Sequence, residues 1–134
     1  MDDLLEHAHA MGLRVKFDNL GRRHGEVRSS GLIVVNDHRP LKGMRITLAH
    51  EIGHAVLGHD WTTARHEVGR DERQAKTYAA RLLITPAQYR EAEHELGTEA
   101  RHLARRLDVT EELVLLWRAS FGRERATGRH LRAV

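Results

Sequence analysis

His50-Glu51-Ile52-Gly53-His54 gathers two imidazoles and a carboxylate into one short run. If the run is helical, residues at i and i+4 lie on one face a turn apart, so both rings can reach a single Zn²⁺. Glu51 is then rotated by about 100° from His50 and stands beside the ion rather than on it. Hydrolysis needs this division of labour: the histidines hold the metal, the metal acidifies water, and the carboxylate takes the proton. Because the chain has no cysteine but eleven histidines, any metal must be held by imidazole and carboxylate.

Catalytic zinc takes three protein ligands and leaves a fourth position open. The third is expected from a following helix, and the segment Asp71 to Leu83 has the right pattern. Glu72, Ala75, Ala79 and Leu82 or Leu83 form one stripe, in which small alanines let the helix approach another backbone closely enough for Glu72 to share a metal with His50 and His54. The alternative is an ordinary surface acid favoured at a helix start by the dipole. His59 and His66 follow the motif, and each can either hydrogen-bond a ligand or a transition-state oxyanion or serve as a surface or capping residue. Tyr78 can donate to an oxyanion or pack in the core. The other histidines, His7, His9, His24, His38, His94, His102 and His130, lack mutual helical spacing and read as surface.

The elements that must position these groups are legible from periodicity. Leu4, Leu5, Ala8 and Met11 make a short amphipathic helix ending at Gly12. Three short strands follow, near residues 15 to 17, 26 to 28 and 32 to 36. The last, Leu32 to Asn36, is apolar on both faces over residues 32 to 35. From Pro40 onward the pattern is helical. A helix starting at 41 to 46 runs to about Gly58 with Ile46, Ala49, Ile52, Ala55 and Val56 on its apolar face, and a polar loop from Asp60 to Arg70 leads to the Glu72 helix. Thr85-Pro86-Ala87-Gln88 is a capping box with proline at the first helical position. Two more helices are expected over about 98 to 107, entered through Thr98, and 110 to 120, entered through Thr110. The architecture implied is α+β: a small three-stranded sheet, antiparallel or mixed, packed on a helical bundle that carries the HExxH zinc helix.

Composition narrows the function classes. At 134 residues and 40% apolar content the chain fits one domain, taken as residues 1–121, followed by a basic, flexible tail over 122–134. The tail holds Arg123, Arg125, Arg129 and Arg132 against Glu124, which is the whole formal charge of +3. A neutral body argues against direct nucleic-acid binding. With no long apolar run and no signal-peptide pattern at the amino terminus, the expectation is a cytoplasmic protein without a membrane partner.

Thr47-Leu48-Ala49-His50-Glu51-Ile52-Gly53-His54, together with Glu72-x-x-Ala75-x-x-Tyr78-Ala79-x-x-Leu82-Leu83-x-x-Pro86, resembles the ImmA/IrrE family of metallopeptidases. The family pattern is a TLAHELGH helix followed by an E-x-x-A-x-x-F-A-x-x-L-L-x-P helix, and Arg45 matches its basic residue before the threonine. Two departures are Lys76, where the family often has asparagine, and one extra residue before Pro86. The resemblance covers about residues 13 to 120 and implies a zinc-dependent endopeptidase acting on a protein substrate, a separately encoded helix-turn-helix repressor.

Two rival readings have sequence support. Leu103 to Val114 has the apolar spacing of a helix-turn-helix, which would make residues 98–120 a DNA-binding domain. However, Glu111 and Glu112 would meet phosphates, and Leu113, Val114, Leu115, Leu116 and Trp117 occupy positions where polar residues read bases. The other rival is a catalytically idle zinc-binding partner protein, which would need His50, His54 and Glu72 but not Glu51. For a peptidase, the substrate is expected to pair with an exposed strand edge, and Leu32 to Asn36 is the strand nearest the zinc helix in sequence. The amide of Val34 or Val35 would then face the peptide.

Overall fold

The computed structural model describes residues 1–59 and 65–132, with side chains described over 1–59 and 69–121. The elements in order are α1 (Asp2–Ala10), β1 (Arg14–Asp18), β2 (Gly25–Val27), β3 (Leu32–Asn36), α2 (Leu41–Val56), α3 (Arg65–Leu83), α4 (Pro86–Leu96), α5 (Ala100–Leu107) and α6 (Glu111–Arg132). Helices with a small mixed sheet make the fold α+β, as the periodicity implied. The elements fall into two compact units, Met1–Ala79 and Ala80–Val134. Among the described residues no helix is long and apolar enough to cross a membrane.

In the first unit the strand order is β1-β3-β2, with β1 parallel and β2 antiparallel to β3. Central placement explains why residues 32 to 35 are apolar on both faces: Ile33, Val34 and Val35 are fully buried. It also corrects the expected substrate edge. Both backbone edges of β3 are hydrogen-bonded to neighbours, so Val34 and Val35 have no amide to offer a peptide and no exposed side chain. Proximity in sequence pointed to β3, but the loop between β1 and β2 lets β2 pair outside it and take the edge.

Buried Asn36 locks that loop in place. Its side-chain amide donates to the carbonyls of Gly21 (3.0 Å) and Arg23 (2.8 Å), and its Oδ1 accepts from the His38 amide at 2.9 Å. Leucine has similar bulk but would leave those backbone groups without partners, so Asn36→Leu should destabilise the protein by about 1–3 kcal/mol. An unchanged urea midpoint would show that water replaces the amide.

The helix that carries the motif is buried nearly all round. Leu48, Ala49, Glu51, Ile52, Gly53 and His54 are buried, whereas Ile46, Ala55 and Val56, placed on the apolar face from periodicity, are half-buried. The sheet covers one side and α1 adds Leu4 and Ala8, both buried. Arg45 reaches back to Asp3 at 3.0 and 3.4 Å, and its guanidinium holds the Asp3 carboxyl well below the usual carboxylate range. That pair is exposed and contributes little compared with burial of Leu4, worth about 1.5–3 kcal/mol.

The second unit is built around Trp117. Its ring lies 4.2 Å from those of both Tyr89 and Phe121, and its indole N–H donates to the Ile84 carbonyl at 2.9 Å. Leu113 and Val114 are buried beside it, so the apolar run on α6 is this unit's core, and only Leu115 of that stretch is strongly exposed. The Thr85 capping box forms with both of its hydrogen bonds. Thr110 caps α6 by accepting from the Leu113 amide. Thr98 caps nothing, because α5 starts one residue later than expected, with Glu99 at its N-cap. α3 begins at Arg65 within the expected loop, and α6 continues to Arg132 rather than ending near residue 120.

Candidate metal centre

His50 and His54 project from successive turns of α2, their ring centroids 4.7 Å apart. α3 brings Glu72 to the same point. His54 Nε2 lies 2.7 Å from Glu72 Oε1, His50 Nε2 lies 3.2 Å from Glu72 Oε2, and one donor atom from each residue falls within 4.8 Å of the others. Donors around a tetrahedral zinc ion stand about 3.3 Å apart, given bonds of about 2.0–2.1 Å, so the set is the right size. Its chemistry also fits. Burial lowers the His50 pKa, opposed in part by the Glu72 charge, which favours the neutral imidazole a metal needs. His50 Nε2 is buried and, among the described residues, has no aligned hydrogen-bond partner despite its proximity to Glu72, as expected of a lone pair directed at a shared ion.

The approach of the two helices depends on small residues. A Cβ on Gly53 would stand 2.8 Å from the Ala75 carbonyl oxygen and 3.1 Å from its Cα. These are backbone atoms and cannot swing aside. The alanine stripe read on α3 therefore has a glycine counterpart inside the HExxH run that spacing rules for ligands do not single out. Gly53→Ala gains about 1 kcal/mol of helix propensity but incurs overpacking of about 1–3 kcal/mol, so strain should win. Because α3 must shift and carry Glu72 with it, both the melting temperature and the zinc affinity should fall; a rise in both would mean that α3 yields without strain.

Glu51 sits on the sheet side of the ligands. It is 6% exposed, and its Oε2 has no hydrogen-bond partner among the described residues. Burial, and then the Glu72 and Glu26 carboxylates, push its pKa up to about 7. A carboxyl with that value can both accept and return a proton near neutral pH. Gly25 of β2 passes directly over it: a Cβ there would meet Thr47 Cγ2 at 2.6 Å and Glu51 Cγ at 3.4 Å.

The remaining expected residues divide. His59 joins the site at one remove, with its Nδ1 2.8 Å from His54 Nδ1. Tyr78 turns to α1, where its hydroxyl hydrogen-bonds His7 Nε2 at 2.7 Å. His7 is consequently half-buried and not the surface residue its spacing suggested. Val34 and Val35 lie in the central strand, away from any free edge. The side chain of His66 lies outside the described residues. Sequence reasoning missed Gly25 and Glu26 because a turn-like glycine and a short strand carry no signal of which helix they will cross.

No curated protein matches the chain. Residues 8–116, however, match the family model described as the IrrE N-terminal-like domain, a peptidase family. That span contains both helices of the site and most of the chain, which therefore belongs to the IrrE N-terminal-like domain family of peptidases.

Proposed function

We propose that the protein is a zinc-dependent endopeptidase whose substrate is a separately encoded helix-turn-helix repressor. The observation that carries the reading is the convergence of His50, His54 and Glu72 beside a buried carboxyl, Glu51, one oxygen of which has no hydrogen-bond partner among the described residues. Zinc held by those three side chains would supply Lewis acidity that polarises the scissile carbonyl and acidifies water. Glu51 accepts the water's proton and delivers it to the leaving amine, a dual role that its raised pKa suits. The choice of a repressor as substrate rests on the family resemblance alone.

The edge of β2 is the better candidate for holding an extended substrate. In the β2–β3 pairing the Asn36 amide donates to the His24 carbonyl and the Arg28 amide to the Leu32 carbonyl, so residues 24, 26 and 28 face β3. The alternation of antiparallel ladders then turns the N–H and C=O of Gly25 and Val27 outward. An added strand there would run beside Glu51, which a Cβ on Gly25 would touch. The test is cleavage of a purified repressor by zinc-loaded protein, compared with a Val27→Pro variant that removes one outward amide. Cleavage by the wild type and slower cleavage by the variant at equal zinc content supports the reading. Relief of repression without any cleavage would favour an idle zinc-binding partner.

A further inference from the structure

His59 follows α2, and the way the helix ends sets its position. Gly58 takes a left-handed conformation (φ +69°), its amide donates to the Ala55 carbonyl, and the His59 amide donates to the His54 carbonyl at 3.0 Å. This is a Schellman cap, in which the residue after the left-handed position folds back onto the helix residue five before it. That contact is usually apolar. Here it joins two imidazoles, His54 and His59, at 2.8 Å between their Nδ1 atoms, with the rings edge to face. Beyond it, His59 Nε2 lies 3.0 Å from Gln74 Oε1 and 3.6 Å from Asp71 Oδ1, both on α3. His59 and Asp71 side chains are only 10% and 14% exposed.

We propose that His59 is a positioning residue that sets the tautomer and ring orientation of His54 for metal binding, an inference that rests on the metal reading above. Each nitrogen pair can share only one proton. If His54 presents the Nε2 lone pair to a metal, its proton must sit on Nδ1, and it donates to His59 Nδ1. The proton of His59 then sits on Nε2 and donates to Gln74 Oε1, with the Asp71 carboxylate behind. One proton per ring is thereby placed on a stated nitrogen. Outer hydrogen bonds of this kind hold a ligand ring in place, and losing one typically lowers metal affinity by about 10–100-fold. Because Gln74 and Asp71 flank Glu72, the same chain ties the α2 ligands to the helix that supplies the third.

The test is zinc affinity of the full-length protein by chelator competition, with the metal-free melting temperature as the check on folding. His59→Phe keeps a ring but accepts nothing, and it should bind zinc at least about tenfold more weakly with little change in melting temperature. His59→Gln restores a side-chain oxygen for the His54 Nδ1–H and should recover most of the affinity, which a purely packing role would not predict. The His54 Nδ1 proton, visible by ¹⁵N-edited NMR in the zinc-loaded wild type, should exchange faster in His59→Phe. Wild-type affinity in His59→Phe, or no recovery in a folded His59→Gln, overturns the proposal while leaving the metal centre standing. Failure of the wild type itself to bind zinc overturns the metal reading, and this proposal with it.

Discussion

Glu51→Gln should retain its metal and lose peptide cleavage by about 10²–10⁴-fold, the range that a positioned general acid–base contributes. The separation follows from position. Glu51 is the neighbour of the ligands on α2 but does not belong to the group whose donor atoms converge. Glutamine matches glutamic acid in size, so the buried site should keep its packing. It also removes a carboxylate crowded by Glu72 and Glu26. Elemental analysis of the purified variant alongside a cleavage assay checks both halves of the expectation. Parallel loss of zinc and activity would make Glu51 a ligand and undo the division of roles; undiminished activity would place the base elsewhere.

Glu72→Ala should weaken zinc binding by about 10²-fold while the protein stays folded. Structural sites with four protein ligands bind zinc by about 10–16 kcal/mol, roughly 3 kcal/mol per ligand, so losing one of the three donors here should lower affinity by about 10²-fold. The side chain is 39% exposed, so its removal opens no sealed cavity and should cost little stability. His50 and His54 would remain on α2, a turn apart but with two donors instead of three. Zinc affinity equal to that of the wild type, measured by chelator competition, would mean that Glu72 is a surface acid and that another oxygen donor completes the site.

The α+β class and most helix positions were legible in the sequence because they depend on local rules. A period of 3.6 residues, the Thr85 capping box and the Thr110 cap act within a turn or two of chain, and both caps form as read. The motif His50-Glu51-x-x-His54 was legible for the same reason, since i and i+4 are neighbours on any helix. Local rules also went astray where a helix began later than read or a distant partner intervened. Thr98 lost its expected place to Glu99, and His7, isolated by spacing, found Tyr78 on α3.

What the sequence by itself determined about the site is the set of candidate ligand types and their order along the chain: two histidines on one helix, a carboxylate on the next, and no cysteine. Which strand lies at the edge, how closely α2 and α3 approach, and which histidine supports which ligand were decided only in the tertiary structure. Each depends on contacts between residues whose separation in sequence carries no information about their separation in space. β3 looked like the edge because it precedes the HExxH helix, but pairing on both sides made it central and left the edges to β1 and β2. Gly53 looked like an interchangeable position inside a motif until Ala75 was placed against it. His59 looked like a surface residue or a direct contact, and the fold gave it a third role, because a left-handed glycine turned the chain back onto His54 while α3 supplied Gln74 from the other side.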